Sequence, residues 1–116
     1  MMEREIDFDI SEIDRIYISS DFFYGWYDGR RIFAGYSGEN NATLLSFTFR
    51  ANFDGYTITL LLEIGGEQYE VVSDTDDFDY YIPSTYMVPE MVVMQIKATL
   101  GTQVLYSEEV YLEVRR

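Results

Sequence analysis

Along most of this chain hydrophobic residues fall at every second position, the period of a strand with one buried face. Residues 56–64, YTITLLLEI, put Tyr56, Ile58, Leu60, Leu62 and Ile64 on one face and Thr57, Thr59 and Glu63 on the other. Residues 92–100 align Val92, Met94, Ile96, Ala98 and Leu100, and Val110, Leu112 and Val114 share a face closer to the C-terminus. Turn-forming residues separate these runs. NFDG is predicted to close a hairpin between residues 43–51 and 56–64, IGGEQ leads into QYEVV, and GTQ leads into VLYS and EVYLEV. The first two turns predict a three-stranded antiparallel meander. REIDFDI and DRIYISS are candidate first strands. ISEIDRI also fits a helical turn, since Ile10, Ile13 and Tyr17 recur at near-helical spacing, with a strand the favoured reading of residues 14–19.

The stretch GYSGENNATLLSFTF, residues 35–49, changes character midway. Gly35, Gly38, Asn40 and Asn41 suit tight turns and left-handed backbone, whereas Leu45, Phe47 and Phe49 point one way from a strand and Ser46, Thr48 and Arg50 the other. GYSGENN is therefore expected to be an ordered surface turn that sets up the strand from residue 43. Glu39, Asn40 and Asn41 would hydrogen-bond the loop or a neighbouring subunit, with Tyr36 and Trp26 packed beneath it.

Tyr, Phe, Val, Ile and Thr dominate, prolines occur only at 83 and 89, and no linker, low-complexity tract or internal repeat interrupts the chain. One domain spanning 1–116 follows, with residues 1–12 a peripheral strand or arm. Many short strands with no helix of normal length favour two packed sheets over a small barrel. The expected fold is all-β: an immunoglobulin-like antiparallel sandwich of about eight short strands, without the disulfide that marks antibody domains.

Composition narrows the chemistry. The chain has 116 residues, enough for one core, and neither cysteine nor histidine. Disulfides and thiolate chemistry are excluded, as are the commonest metal ligand and the side chain whose pKa suits acid–base work near neutrality. Twenty-one acidic against eight basic residues leave a net charge of −13, which repels phosphate backbones and anionic membranes. Neither nucleic acid nor a membrane is an expected partner. The N-terminus lacks a basic segment followed by an apolar run, and no apolar stretch is long enough to span a bilayer, so no secretion signal is expected.

The densest carboxylate cluster, Asp74, Asp76, Asp77 and Asp79 in SDTDDFDYY, is the calcium candidate by ligand hardness. An EF-hand loop starting at Asp74 would need glycine at 79 and glutamate at 85, where the chain has Asp79 and Thr85, so a solvated acidic loop is the preferred reading and no metal or other cofactor is expected. A paired-carboxylate glycosidase would need two carboxyl groups across one cleft, for which no feature speaks. The glycines are too dispersed for a phosphate loop. Asn41-Ala42-Thr43 matches a glycosylation acceptor, a pattern short enough to arise by accident. The aromatic run FFYGWYDGRRIF, residues 22–33, is the best case for contact with a partner. Tyr24, Trp26, Tyr27 and Tyr36 combine apolar area with a polar handle, and fit an interface, a sugar-stacking platform or, for Trp26, the core. Arg30 and Arg31 are expected to pair with neighbouring carboxylates. Tyr24, Trp26, Tyr27, Tyr36, Glu39 and Asn41 are the candidate interface or ligand residues, and no residue is a catalytic candidate.

The segment FAGYSGENNATLLSFTF, followed by YTITLLLEIGGEQYEVV and then FDYYIPSTYMVPEMVVMQIKATLGTQVLYSEEVYLEVRR, resembles the amino-terminal β-sandwich domain of tail and baseplate proteins from phages and prophages of Gram-positive bacteria, including the baseplate upper protein family. An aromatic-Gly-Tyr turn and a GExNAT-like stretch lead into the first long strand. The later part carries MQIKA on a strand, a hairpin, a SEE element and the final strand. The resemblance covers roughly residues 22–116 and lies in strand and turn residues. It implies a non-enzymatic structural component of a virion, assembled in the host cytoplasm, with other tail proteins or further copies of itself as partners. Relatives usually continue into coiled-coil, fibre or receptor-binding parts, so the chain is expected to be an excised domain, a small tail accessory or a similarly folded protein with another role. The alternative is a carbohydrate-binding module using the aromatic residues as an exposed platform.

Overall fold

The computed structural model describes residues 4–12, 15–20, 24–26, 31–49, 53–73, 78–89 and 91–116. Eleven strands form: β1 (Arg4–Glu12), β2 (Arg15–Ser20), β3 (Tyr24–Trp26), β4 (Arg31–Tyr36), β5 (Thr43–Phe49), β6 (Thr57–Ile64), β7 (Glu67–Ser73), β8 (Phe78–Tyr81), β9 (Met91–Leu100), β10 (Gln103–Tyr106) and β11 (Val110–Arg115). Residues 15–20 are strand, the favoured of the two readings. The strands build two sheets, ordered β3-β2-β1-β5-β8 and β4-β11-β9-β6-β7, with β10 beside the C-terminal half of β9. This all-β, two-sheet architecture is the expected class. Most inward positions are those the alternation marked: Leu45, Phe47 and Phe49 on β5, Ile58, Leu60 and Leu62 on β6, Val92, Met94, Ile96 and Ala98 on β9, and Val110, Leu112 and Val114 on β11 are all buried, whereas Tyr56 and Ile64 are half-buried and Leu100, at the end of β9 beside the β9–β10 turn, is exposed. The buried side chains meet Ile6, Phe8, Ile10, Ile16 and Ile18 from β1 and β2 in one core.

Four features depart from expectation. The described residues hold eleven strands rather than about eight, because β1–β3 add a unit that carries five of the buried side chains just named. The sheets are mixed: β1 runs parallel to β5 and β4 parallel to β11, while the other pairs are antiparallel. β1, expected at the periphery, is the central strand of its sheet. Its carboxylates Glu5, Asp7 and Asp9 sit on the outward phase of an alternation whose inward phase, Ile6, Phe8 and Ile10, is fully buried. Finally, NFDG does not close a hairpin. β5 and β6 lie in different sheets, so the predicted meander is a crossover between layers followed by the β6–β7 hairpin. Phe53 fills that corner, edge-on to Phe49 (5.5 Å) and to Tyr56 (5.9 Å), and an apolar plug favours the crossing over a tight turn.

Between β10 and β11 the chain leaves the edge of β9 for three residues, and Ser107 repairs the gap. Its N–H donates to the Ile96 carbonyl (2.8 Å), and its Oγ accepts from the Ile96 N–H (2.9 Å). A hydroxyl thus replaces one rung of the ladder, leaving no buried amide unpaired there. Glu108 then turns to the opposite sheet, where its Oε1 accepts from the Ile16 N–H at 3.1 Å.

Candidate functional site

The turn between β4 and β5 joins the two sheets, so it couples the layers as well as presenting a surface. β4 carries a bulge against β11, with Glu113 opposite Phe33 and Val114 opposite Gly35. Gly35 has φ +135. The Tyr36 N–H donates to Glu39 Oε1 (2.8 Å) and the Glu39 N–H to the Tyr36 carbonyl (3.2 Å), closing the turn on itself. Asn41 has φ 55, left-handed backbone that asparagine tolerates, and its N–H donates to the Ile82 carbonyl (3.0 Å). Asn40 Oδ1 accepts from the Ser84 N–H (2.9 Å), and the Gly38 N–H donates to the Met87 carbonyl (3.1 Å). The turn is thereby stitched to the segment after β8.

Arg4 locks the same turn from the other sheet. Its Nη1 lies 2.8 Å from Thr43 Oγ1, 3.1 Å from Glu39 Oε1 and 3.3 Å from the Ala34 carbonyl, while the Thr43 hydroxyl donates to that carbonyl at 2.6 Å. The guanidinium also sits 4.9 Å from the centroid of the Phe33 ring, and that of Arg115 sits 4.7 Å from the same centroid. These contacts place a charged pair at the seam of the sandwich, each partner held by further hydrogen bonds.

Glu39 is held below the ordinary carboxylate range, first by the hydrogen bond from the Tyr36 amide and then by Arg4, against a smaller opposing effect of burial than the amide exerts. A depressed folded-state pKa adds stability above the unfolded carboxylate pKa, about 4.3, and that contribution disappears as pH falls through the folded value. Glu39→Gln is expected to cost roughly 0.5–1 kcal/mol at pH 7, kept small by solvent access to the pair. The gap from the wild type should close toward pH 3, as read from urea unfolding at both pH values.

The candidates named from sequence are therefore dispersed. Glu39 binds the Tyr36 amide within the turn and Arg4 outside it, and Asn41 bonds through its N–H to the Ile82 carbonyl after β8. Tyr36 is 46% exposed, with its ring edge-on to Phe33 at 5.3 Å. Tyr24 and Trp26 lie on β3, the edge strand of its sheet, where Trp26 pairs in register with Tyr17; their side chains are outside the described part. Tyr27, Arg30, Asp74, Asp76 and Asp77 lie outside the described residues. Asp79 is exposed on β8, opposite Ser46, which in turn pairs with Asp7. Among the described residues no group of three or more acidic side chains is placed to hold a metal ion.

Small cavities lie among the described residues. An apolar void of about 10 Å³ lies among Ala34, Leu62, Ile82, Met87, Val92 and Leu112, room for one water at most. A polar dimple of about 20 Å³ lies on the outer face of the second sheet, between Leu61, Glu63, Gln68, Val93, Gln95 and Glu109. Apolar side chains are exposed on strand surfaces: Tyr17, Val72, Tyr81, Leu100, Val104 and Tyr106. Sequence reasoning placed Leu100 on an inward face and passed over the others as contact residues, and over Arg4. The available signal was an apolar residue in the outward phase of an alternating run, as Tyr17 is between Ile16 and Ile18, or a lone arginine in an acidic N-terminus. No protein-family model matches the chain, and neither does any curated protein.

Proposed function

We propose that this chain is a non-enzymatic structural domain acting by protein–protein assembly, in the tail or baseplate of a phage or prophage. The observation that carries the assembly reading is the exposure of large apolar side chains on strand surfaces, Tyr17, Val72, Tyr81, Val104 and Tyr106 among them. Small-molecule sites are concave and bury most of their ligand, whereas a macromolecular partner docks on flat surface through aromatic and aliphatic anchors. The tail assignment rests on the resemblance over residues 22–116, which takes in the strands from β3 onward.

Strand order supports an immunoglobulin-like form of the sandwich. With β5, β6, β7, β8 and β9 in the roles of strands B, C, C′, E and F, and β10 with β11 as a split G, the pairs B–E and C′–C–F–G are those of that fold. The β1–β2 hairpin is an addition beside strand B, with β1 running parallel to it. The glycan reading has one observation in its favour, the register of Trp26 with the half-exposed Tyr17 at the sheet edge. An antibody raised against the chain, applied to tail particles induced from the strain that encodes it, discriminates between the two. Gold label on the tail or baseplate is the expected result; unlabelled particles, with glycan-array binding lost in Trp26→Ala, would replace assembly by sugar recognition.

A further inference from the structure

The outward face of the β10-β9-β6-β7 region divides into two halves of different chemistry. Registers put Val104 beside Thr99 and Thr57, and Tyr106 beside Lys97, Thr59 and Val72. Among the described residues no carboxylate occupies an outward strand position in this half, although 21 of the 116 residues are acidic. At its centre is Lys97, the single lysine of the chain. The other half, reached two residues further along the strands, carries Gln95, Leu61 and Glu70 in one row and Tyr111, Val93, Glu63 and Gln68 in the next. Leu61, on the outward phase, is only 5% exposed, and Thr59 only 7%.

Lys97 is half-buried, and among the described residues its ammonium has no hydrogen-bond or ion-pair partner. Glu63 cannot serve within the same molecule. It faces Val93, four residues from Lys97 along the strand, or about 13 Å at the rise of an extended chain. Glu70 is two strands and two residues away, about 12 Å by the same geometry. A lone cation in an apolar, threonine-rich half-face, next to a carboxylate half-face on the same sheet, is self-complementary under a two-fold rotation.

We propose that this face is the contact between two copies of the chain, packed sheet on sheet. This inference rests on the assembly reading above and names its first partner. A two-fold axis lying across the strands near Leu61 turns the lysine half of each copy onto the carboxylate half of the other. Lys97 then meets Glu63 of the second copy, twice over, while Val104 and the tyrosines at positions 106 and 111 supply apolar contact. With the ten residues of β9 as one side and four strands as the other, the face measures about 33 by 19 Å, or roughly 600 Å² per copy. Some 1,200 Å² in total is the lower bound of a specific interface, consistent with a dimer that forms and dissociates with concentration.

The experiment is sedimentation velocity at moderate salt from low to high micromolar concentration, on wild type, Lys97→Glu, Glu63→Lys and the double charge reversal, each checked for an unchanged melting profile. Wild type is expected to move from the 13.6 kDa monomer toward twice that mass. Each single reversal should weaken association at least about tenfold, and the double should return to within about threefold of wild type. The two single reversals change net charge by two units in opposite directions. Repulsion by net charge alone would make Glu63→Lys associate more strongly, the reverse of the expected loss. A wild type that stays monomeric throughout, a dimer indifferent to both reversals, or a double variant that fails to recover overturns the proposal. A monomer that is nonetheless found on labelled tails removes this contact and leaves the assembly reading standing; a dimer absent from tails does the opposite.

Discussion

Gly35→Ala is expected to lower stability by about 3 kcal/mol or more, a loss on the scale of truncating a core aromatic. Two costs add at this position. With φ at +135 the backbone is in a region that side chains with a Cβ rarely adopt. A Cβ built there would also lie 2.6 Å from Nη1 of Arg4, 2.8 Å from the Met87 methyl and in hard overlap with Glu39 Oε1. Those atoms cannot simply withdraw, because Arg4 and Glu39 are fixed by the bonds to Thr43, Ala34 and the Tyr36 amide. Gly38→Ala is the matched control: its φ is +88, but nothing lies within 4 Å of the added methyl, so only the backbone cost of about 1 kcal/mol applies. Urea unfolding of both variants provides the comparison, with the midpoint shifting at constant slope. Equal losses would show that the packing of Arg4 and Glu39 on Gly35 imposes no constraint.

Phe47→Ala is expected to cost about 3–5 kcal/mol. Phe47 is 1% exposed and stacks on Phe8, with ring centroids 4.9 Å apart and planes 12° from parallel. The two residues face each other in the parallel β1–β5 register, so the stack joins the N-terminal unit to the rest of its sheet. Removing it leaves a cavity between β1 and β5 that main-chain pairing alone has to span. Thr48→Ala, one residue on and exposed on the outer face, should stay within about 0.5 kcal/mol. In hydrogen exchange, the amides of β1 should lose more protection than those of β9 when Phe47 is truncated. Uniform loss across both sheets would mean that β1 opens only with the whole domain.

The alternation in β5, β6, β9 and β11 was legible because it is a local property: a residue's phase within its own strand decides which face it presents, and the apolar phase goes inward whatever the neighbours are. Gly35, Gly38, Asn40 and Asn41 announced a turn for an equally local reason, since backbone conformation depends on the residue that adopts it. The candidate site was legible only in part. Glu39 and Asn41 were recognisable as turn residues, but their bonds to Arg4 and to the Ile82 carbonyl cross 35 and 41 positions of sequence, and no pattern within the turn encodes those partners.

By itself, then, the sequence determined an acidic all-β domain without cysteine or histidine, its main strands and their inward faces, and the turn before β5. Tertiary structure decided the pairings: that NFDG crosses between sheets, that β1 lies central and parallel to β5, and that Lys97 is out of reach of Glu63 within one copy. A period of two is the same for a hairpin and for a crossover, and for an edge strand and a central one that faces solvent on one side. The choice among these is made by which arrangement buries all the inward faces together, a quantity belonging to the whole core and to no segment of it.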